Sequence, residues 1–188
     1  MSSHKLNVVI SSTRPGRVGP VFAKWFADFA KTHGTFDVDL VDLADFDLPV
    51  FNEPKHPRLG QYEHEATKKW SASVASGDAF VFVTPEYNYF PPSSLINALT
   101  YLSAEWRYKP VGFVSYGGVS GGLRAVQPVK ELVTTLSMMP IPAGVPIPGA
   151  HSHIKDGVFA SNDLIDDAAK TMLGELHKWS VALQPMRA

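Results

Sequence analysis

The feature that most limits the fold is a regular alternation of strand and helix patterns. Residues 6–10 and 79–83 are short, nearly uninterrupted apolar runs bounded by turn-forming residues, the pattern of strands buried on both faces of a parallel sheet. Residues 36–40 alternate apolar and charged side chains, which predicts a strand with one exposed face nearer the sheet edge. Residues 111–116 predict a fourth strand. The fifth, at 141–147, contains Pro142 and Pro146 and is flanked by Pro140 and Pro148; proline has no N–H for a ladder, so this strand belongs at an edge. Between these runs, Val21, Phe22, Trp25, Phe26 and Phe29 form one helical stripe, Lys24, Asp28 and Lys31 lie off it, and Pro20 suits the first turn. Further helices are predicted at 61–76, 93–102, 123–138 and 164–183, with Pro128 kinking the fourth helix or delaying its start. The order predicts an α/β fold, a doubly wound parallel sheet with helices on both faces and ligands outside the carboxyl ends of the strands. The longest irregular piece, residues 44–60, is proline-rich and reads as a surface excursion near the site or as an oligomer contact.

Composition removes several functions. The 188 residues fit one domain, 1–188, and a formal charge of -1 gives no overall reason to expect nucleic acid or a membrane surface as partner. The absence of cysteine excludes disulfides, thiolate catalysis and cysteine metal sites, and with them a low-molecular-weight phosphatase reading of a small α/β chain. The start of the chain, Met1-Ser2-Ser3-His4-Lys5, precedes only a very short apolar run, so neither a signal peptide nor a membrane span is expected and the cytoplasm is the expected compartment.

If strands one, three and four are neighbours, the loops after them converge. The first, Ser11-Ser12-Thr13-Arg14-Pro15-Gly16-Arg17-Val18-Gly19, joins a strand to a helix start and carries hydroxyls, fixed positive charge and glycines. Backbone N–H groups and the positive end of a helix stabilise an anion there, and Arg14 can fork onto phosphate oxygens, so the reading is a phosphate cradle; an ordinary turn and N-cap is the plain alternative. The second, Thr84-Pro85-Glu86-Tyr87-Asn88-Tyr89-Phe90-Pro91-Pro92, is stiff and aromatic, suited to packing a flat ring, although Tyr89 and Phe90 equally suit a subunit contact. The third, Ser115-Tyr116-Gly117-Gly118-Val119-Ser120-Gly121-Gly122, lets backbone approach a ligand closely.

Together, in this order and spacing, the three loops resemble those of the NADPH-dependent FMN reductases of the flavodoxin-like superfamily. Pro85-Glu86-Tyr87-Asn88 is the most specific of the motifs. The resemblance implies a five-stranded parallel sheet of order 2-1-3-4-5 and an FMN site. Ser12, Arg14, Val18 and Gly19 would hold the FMN phosphate, while Pro85, Glu86, Tyr87 and Asn88 on one side and Ser115, Tyr116, Gly117 and Gly118 on the other would bracket the isoalloxazine. It further implies NADPH or NADH as hydride donor, and a quinone, azo compound, free flavin or metal oxyanion as the small-molecule electron acceptor. Residues 93–102, followed by Trp106 and Tyr108, are apolar and aromatic beyond what a single sheet face requires, and the resemblance implies a homodimer or homotetramer through this region, with second-subunit residues near the flavin. No side chain is needed as catalytic acid or base, Glu86 being expected to fix its loop. The chain departs from the family at Ser11, where glycine is usual, and at Pro128.

Two rival functions are carried. Gly118-Val119-Ser120-Gly121-Gly122 fits the G-x-S-x-G nucleophile elbow of a serine hydrolase, with His177 and Asp166 or Asp167 as the available triad partners. A non-catalytic flavodoxin-type electron carrier is the other, although such carriers dock through strong surface charge that this chain lacks. His56, His64, His151 and His153 are expected in capping or solvent roles, with no metal, since no third ligand has suitable spacing.

Overall fold

A computed structural model describes residues 4–33 and 36–187; residues 1–3, at the chain start considered above, lie outside the described residues. The main sheet contains β1 (His4–Ile10), β2 (Phe36–Asp42), β3 (Ala79–Pro85), β4 (Pro110–Tyr116), β5 (Met139–Pro140) and β6 (Val145–Ile147). Its order is β2-β1-β3-β4-β5, with β6 also on β4, and every pairing is parallel. The fifth strand therefore lies at the edge, as its prolines require, but it is broken. Ile141 N still donates to Val111 O of β4 at 2.9 Å, and residues 142–144 then leave the ladder before β6, where Pro142 has no N–H to contribute.

Both sheet faces are covered. Leu6, Val8 and Ile10 of β1 face α1 (Gly19–His33) and α5 (Asp163–Leu183), while Phe80 and Phe82 of β3 face α2 (Glu65–Ser76), α3 (Ser93–Thr100) and α4 (Leu123–Thr135). Period-two alternation thus divides one apolar strand between two cores, and this is why β1 and β3 read as continuous apolar runs. Pro128 lies within α4, whose first residue is nevertheless Leu123, so the start is not delayed. The predicted 61–76 helix begins only at Glu65: the Glu53 carboxylate accepts hydrogen bonds from Glu63 N and His64 N at 2.8 and 3.1 Å, holding the preceding residues outside it. A small antiparallel pair, β7 (Ile154–Lys155) and β8 (Val158–Phe159), precedes α5.

The apolar excess around α3 has an internal explanation. Leu95, Leu99, Tyr101, Leu102 and Trp106 are buried within this chain's own core, so their apolar character does not by itself call for a partner. Asn97 also accepts from Phe51 N at 2.9 Å and donates to Pro49 O at 2.6 Å, fastening the proline-rich excursion over α3.

Candidate functional site

Strand register brings the three loops together. Ile10 pairs with Val83, Pro85 with Tyr116 and Tyr116 with Ile147, so the chain leaves β1, β3, β4 and β6 at one end of the sheet. A cavity of about 360 Å³ opens there, lined by Arg14, Val18, Pro85, Glu86, Tyr87, Tyr116, Gly117, Gly118, Gly149, Ala150 and His151. Eight of the twelve residues read from the sequence line it. Ser12, Gly19, Asn88 and Ser115 do not, and each has a different position.

The first loop turns at Gly16, which has a φ of 71°, and Arg17 N donates to Arg14 O at 3.1 Å. The Arg14 side chain is exposed at the cavity and its guanidinium has no partner among the described residues. Arg17 is different: it forms a 2.6 Å ion pair with Asp42 at the end of β2. Ser12, almost fully buried, shares a 2.8 Å hydrogen bond with the Tyr87 hydroxyl, which ties the first loop to the second. Gly19 opens α1 directly against the Tyr116 hydroxyl.

The second loop is a tight hairpin. Tyr87 N donates to Phe90 O at 2.8 Å and Phe90 N to Tyr87 O at 2.9 Å, while Asn88 and Tyr89 have φ values of 51° and 71°. Positive φ at both central residues is the type I′ arrangement that matches strand twist. It turns Asn88 to solvent and leaves Tyr89 and Phe90 each 63% exposed. The Arg124 guanidinium lies 4.0 Å from the Tyr89 ring centroid, a favourable cation–π position.

Glu86 joins the second loop to the third. Its carboxylate accepts from Ser120 Oγ at 2.6 Å and from Arg124 Nε and Nη2 at 2.8 and 2.7 Å. Burial pushes its pKa up, but the Ser120 and Arg124 hydrogen bonds and the Arg124 charge outweigh that, and the carboxyl sits below its ordinary value of 4.5. This is the loop-fixing role expected of Glu86. It also removes the basis for a hydrolytic Ser120, whose hydroxyl donates to a carboxylate. His177 packs instead on His4 and Phe36, at the starts of β1 and β2, whereas Ser120 follows the end of β4. In a parallel sheet those are opposite ends, so the triad does not assemble.

The third loop closes on itself through Ser115, whose buried hydroxyl donates to Gly121 O at 2.8 Å. Gly122 caps α4 with a φ of 83°, and a Cβ there would stand 2.7 Å from Tyr116 N. Gly118 faces open space. Gly149 N and Ala150 N donate to Gly118 O and Gly117 O at 2.9 and 3.0 Å, which brings Gly149, Ala150 and His151 to the cavity wall. Sequence reasoning missed these three. The only available signal was Pro148-Gly149, a turn directly after the last strand.

Comparison with known proteins places the chain in a family. An NAD(P)H-dependent FMN reductase of Schizosaccharomyces pombe is 38% identical over 178 residues, covering 93% of this chain and 86% of that protein. A quinone reductase of Pseudomonas putida is 29% identical over 141 residues, 72% of each chain. The solved structure of FerB, a flavoenzyme NAD(P)H:(acceptor) oxidoreductase from Paracoccus denitrificans, superposes with a TM-score of 0.73 over 95% of this chain and 98% of its own at 19% identity, a likeness of fold. The family described as NADPH-dependent FMN reductase matches residues 4–152, so its pattern spans all three loops and most of the sheet. The chain therefore belongs to the NADPH-dependent FMN reductase family.

Proposed function

We propose that this chain binds FMN in the cavity at the ends of β1, β3 and β4, and catalyses electron transfer from NAD(P)H to a small-molecule acceptor, a quinone first among the candidates. The observation that carries the reading is the cavity itself, with an unpartnered Arg14 at the α1 end and the backbone of Gly117 and Gly118 at the other. Those groups suit FMN, which has a dianionic phosphate at one end and a flat ring edged with hydrogen-bonding atoms at the other. Bound FMN would supply the redox chemistry, taking hydride from the nicotinamide and giving electrons to the acceptor.

The chain's own residues bind and orient. Arg14 and the N-terminal turn of α1, from Val18 and Gly19, hold the phosphate through charge and backbone N–H groups, with Ser12 bracing Tyr87 behind them. Pro85, Glu86 and Tyr87 form one wall of the ring site and Tyr116, Gly117 and Gly118 the other, while Asn88 shapes the tip of the hairpin and Ser115 closes the glycine loop from behind. Gly118, with no side chain between its backbone and the cavity, is placed to offer an N–H to charge gathered on the reduced ring. Glu86 acts through position, holding the two walls together.

The acceptor class includes quinones, azo compounds, free flavins and metal oxyanions, and a cytoplasmic setting suits all of them. A homodimer or homotetramer is part of the proposal, with exposed Tyr89 and Phe90 beside the cavity as the surface it covers. Steady-state assay of NAD(P)H oxidation with a quinone tests the function. The expected result is turnover by the FMN-loaded protein well above that of free FMN alone and of the flavin-stripped protein; equal turnover by either of these would overturn it.

A further inference from the structure

We infer that the Tyr116 phenol donates a hydrogen bond to the terminal phosphate of the flavin, and is thereby a residue with which this chain distinguishes FMN from riboflavin. The inference rests on the FMN reading above, and goes beyond it in giving a residue at the end of β4 a role at the far end of the ligand.

The side chain does not point where its loop suggests. Tyr116 precedes the glycine turn, yet its ring extends back beneath α1, stacking on Phe22 with centroids 4.5 Å apart. Its hydroxyl oxygen lies 2.8 Å from where a Cβ on Gly19 would stand, so it sits against the first residue of a 15-residue helix. The free N–H groups and positive end of that helix are directed at the same place. Gly19 is needed here because any larger residue would displace the hydroxyl.

That hydroxyl lacks an acceptor. Tyr116 is only 5% exposed and lines the cavity, and its hydroxyl has no hydrogen-bond partner among the described residues. A phenol at the cavity wall with no protein acceptor is free to donate into the cavity, and a phosphate oxygen between Arg14 and the helix start supplies that acceptor. Burial and the nearby Tyr87 push the phenol pKa up, outweighing Arg14 and Arg17, so Tyr116 keeps its proton at neutral pH and acts as donor. Tyr87 cannot substitute for it freely, since its hydroxyl is already bonded to Ser12.

The test is paired titration of the apoprotein with FMN and with riboflavin. Tyr116→Phe keeps the stack on Phe22 and removes only the hydroxyl; it should weaken FMN binding about 10- to 100-fold, as for a charge-assisted hydrogen bond, while leaving riboflavin within about twofold. Gly19→Ala places a methyl 2.8 Å from the hydroxyl oxygen but 3.8 Å from the ring carbon that bears it. It should therefore weaken FMN in the wild-type background and much less in Tyr116→Phe. An unchanged FMN affinity in Tyr116→Phe, or an equal loss for FMN and riboflavin, would overturn the inference while wild-type preference for FMN left the functional reading standing. A wild-type protein that binds neither flavin would remove both.

Discussion

Replacing Glu86 with glutamine tests whether the two ring-site walls are held by one buried carboxylate. The Glu86 side chain is 8% exposed and Arg124 is 48% exposed. Breaking a fully buried pair costs about 3–5 kcal/mol and an exposed one about 0.2–1, so the half-exposed Arg124 places its share near 1 kcal/mol. The Ser120 hydroxyl, donating to the other oxygen at 2.6 Å, loses charge assistance worth roughly 1 kcal/mol more. The sum is about 2 kcal/mol, or a fall in Tm of about 4–8 °C for a chain of this length. Because its folded pKa lies below 4.5, the contribution of Glu86 is fully present above that pH and is lost as pH falls through the folded value. Circular-dichroism melts of wild type and Glu86→Gln, run at neutral pH and then at successively lower pH, should thus differ at neutral pH and converge as the pH falls through the lowered folded pKa of Glu86. Arg124→Ala should show about 1 kcal/mol of coupling with Glu86→Gln in a double-mutant cycle. A Tm change under about 1 °C at neutral pH, or full additivity, would refute the clamp.

Three further outcomes follow from the same geometry. Arg14→Ala should lower FMN affinity by about 1.5–3 kcal/mol and leave riboflavin affinity unaltered, since its guanidinium is assigned only to phosphate; equal effects on both in a binding titration would contradict that. Gly122→Ala forces a side chain into left-handed backbone, with its Cβ 2.7 Å from Tyr116 N, and should cost about 3 kcal/mol in urea unfolding; a change under about 0.5 kcal/mol would mean the turn is not as described. Burial, with help from the Arg187 charge, pushes Lys109 from 10.5 down to about 8, while its ammonium donates to Val74 O and Ala75 O at the end of α2. Between those two pH values the unfolded chain holds a proton that the folded one has released, so Lys109 makes stability rise with pH across that window. Lys109→Met should flatten the rise in melts run from pH 8 upward, and an identical slope would show that the group titrates normally.

What could be read from the sequence was whatever a local pattern encodes. Continuous apolar runs revealed β1 and β3 because both of their faces are buried, and the alternation at residues 36–40 revealed β2 because it is an edge strand. The three loops were legible because strand–loop–helix order fixes which end of a parallel sheet they share. Long-range contacts were not legible. The apolar residues of α3 suggested a partner because nothing local shows that Asn97 fastens residues 49–51 across them. Ser120 resembled a nucleophile because its real partner, Glu86, lies 34 residues away. His151 reached the cavity wall through backbone pairing of Gly149 and Ala150 with the glycine turn, which no side-chain pattern announces.

The central claim is that FMN bound at this cavity is reduced by NAD(P)H. Anaerobic titration of the FMN-loaded protein with NADPH and with NADH, followed by visible absorbance and then by addition of a quinone, tests it most directly. The account predicts that a nicotinamide bleaches the bound flavin and that the quinone restores its colour. A bound flavin that neither nicotinamide can bleach would contradict the reductase and leave an electron carrier in its place.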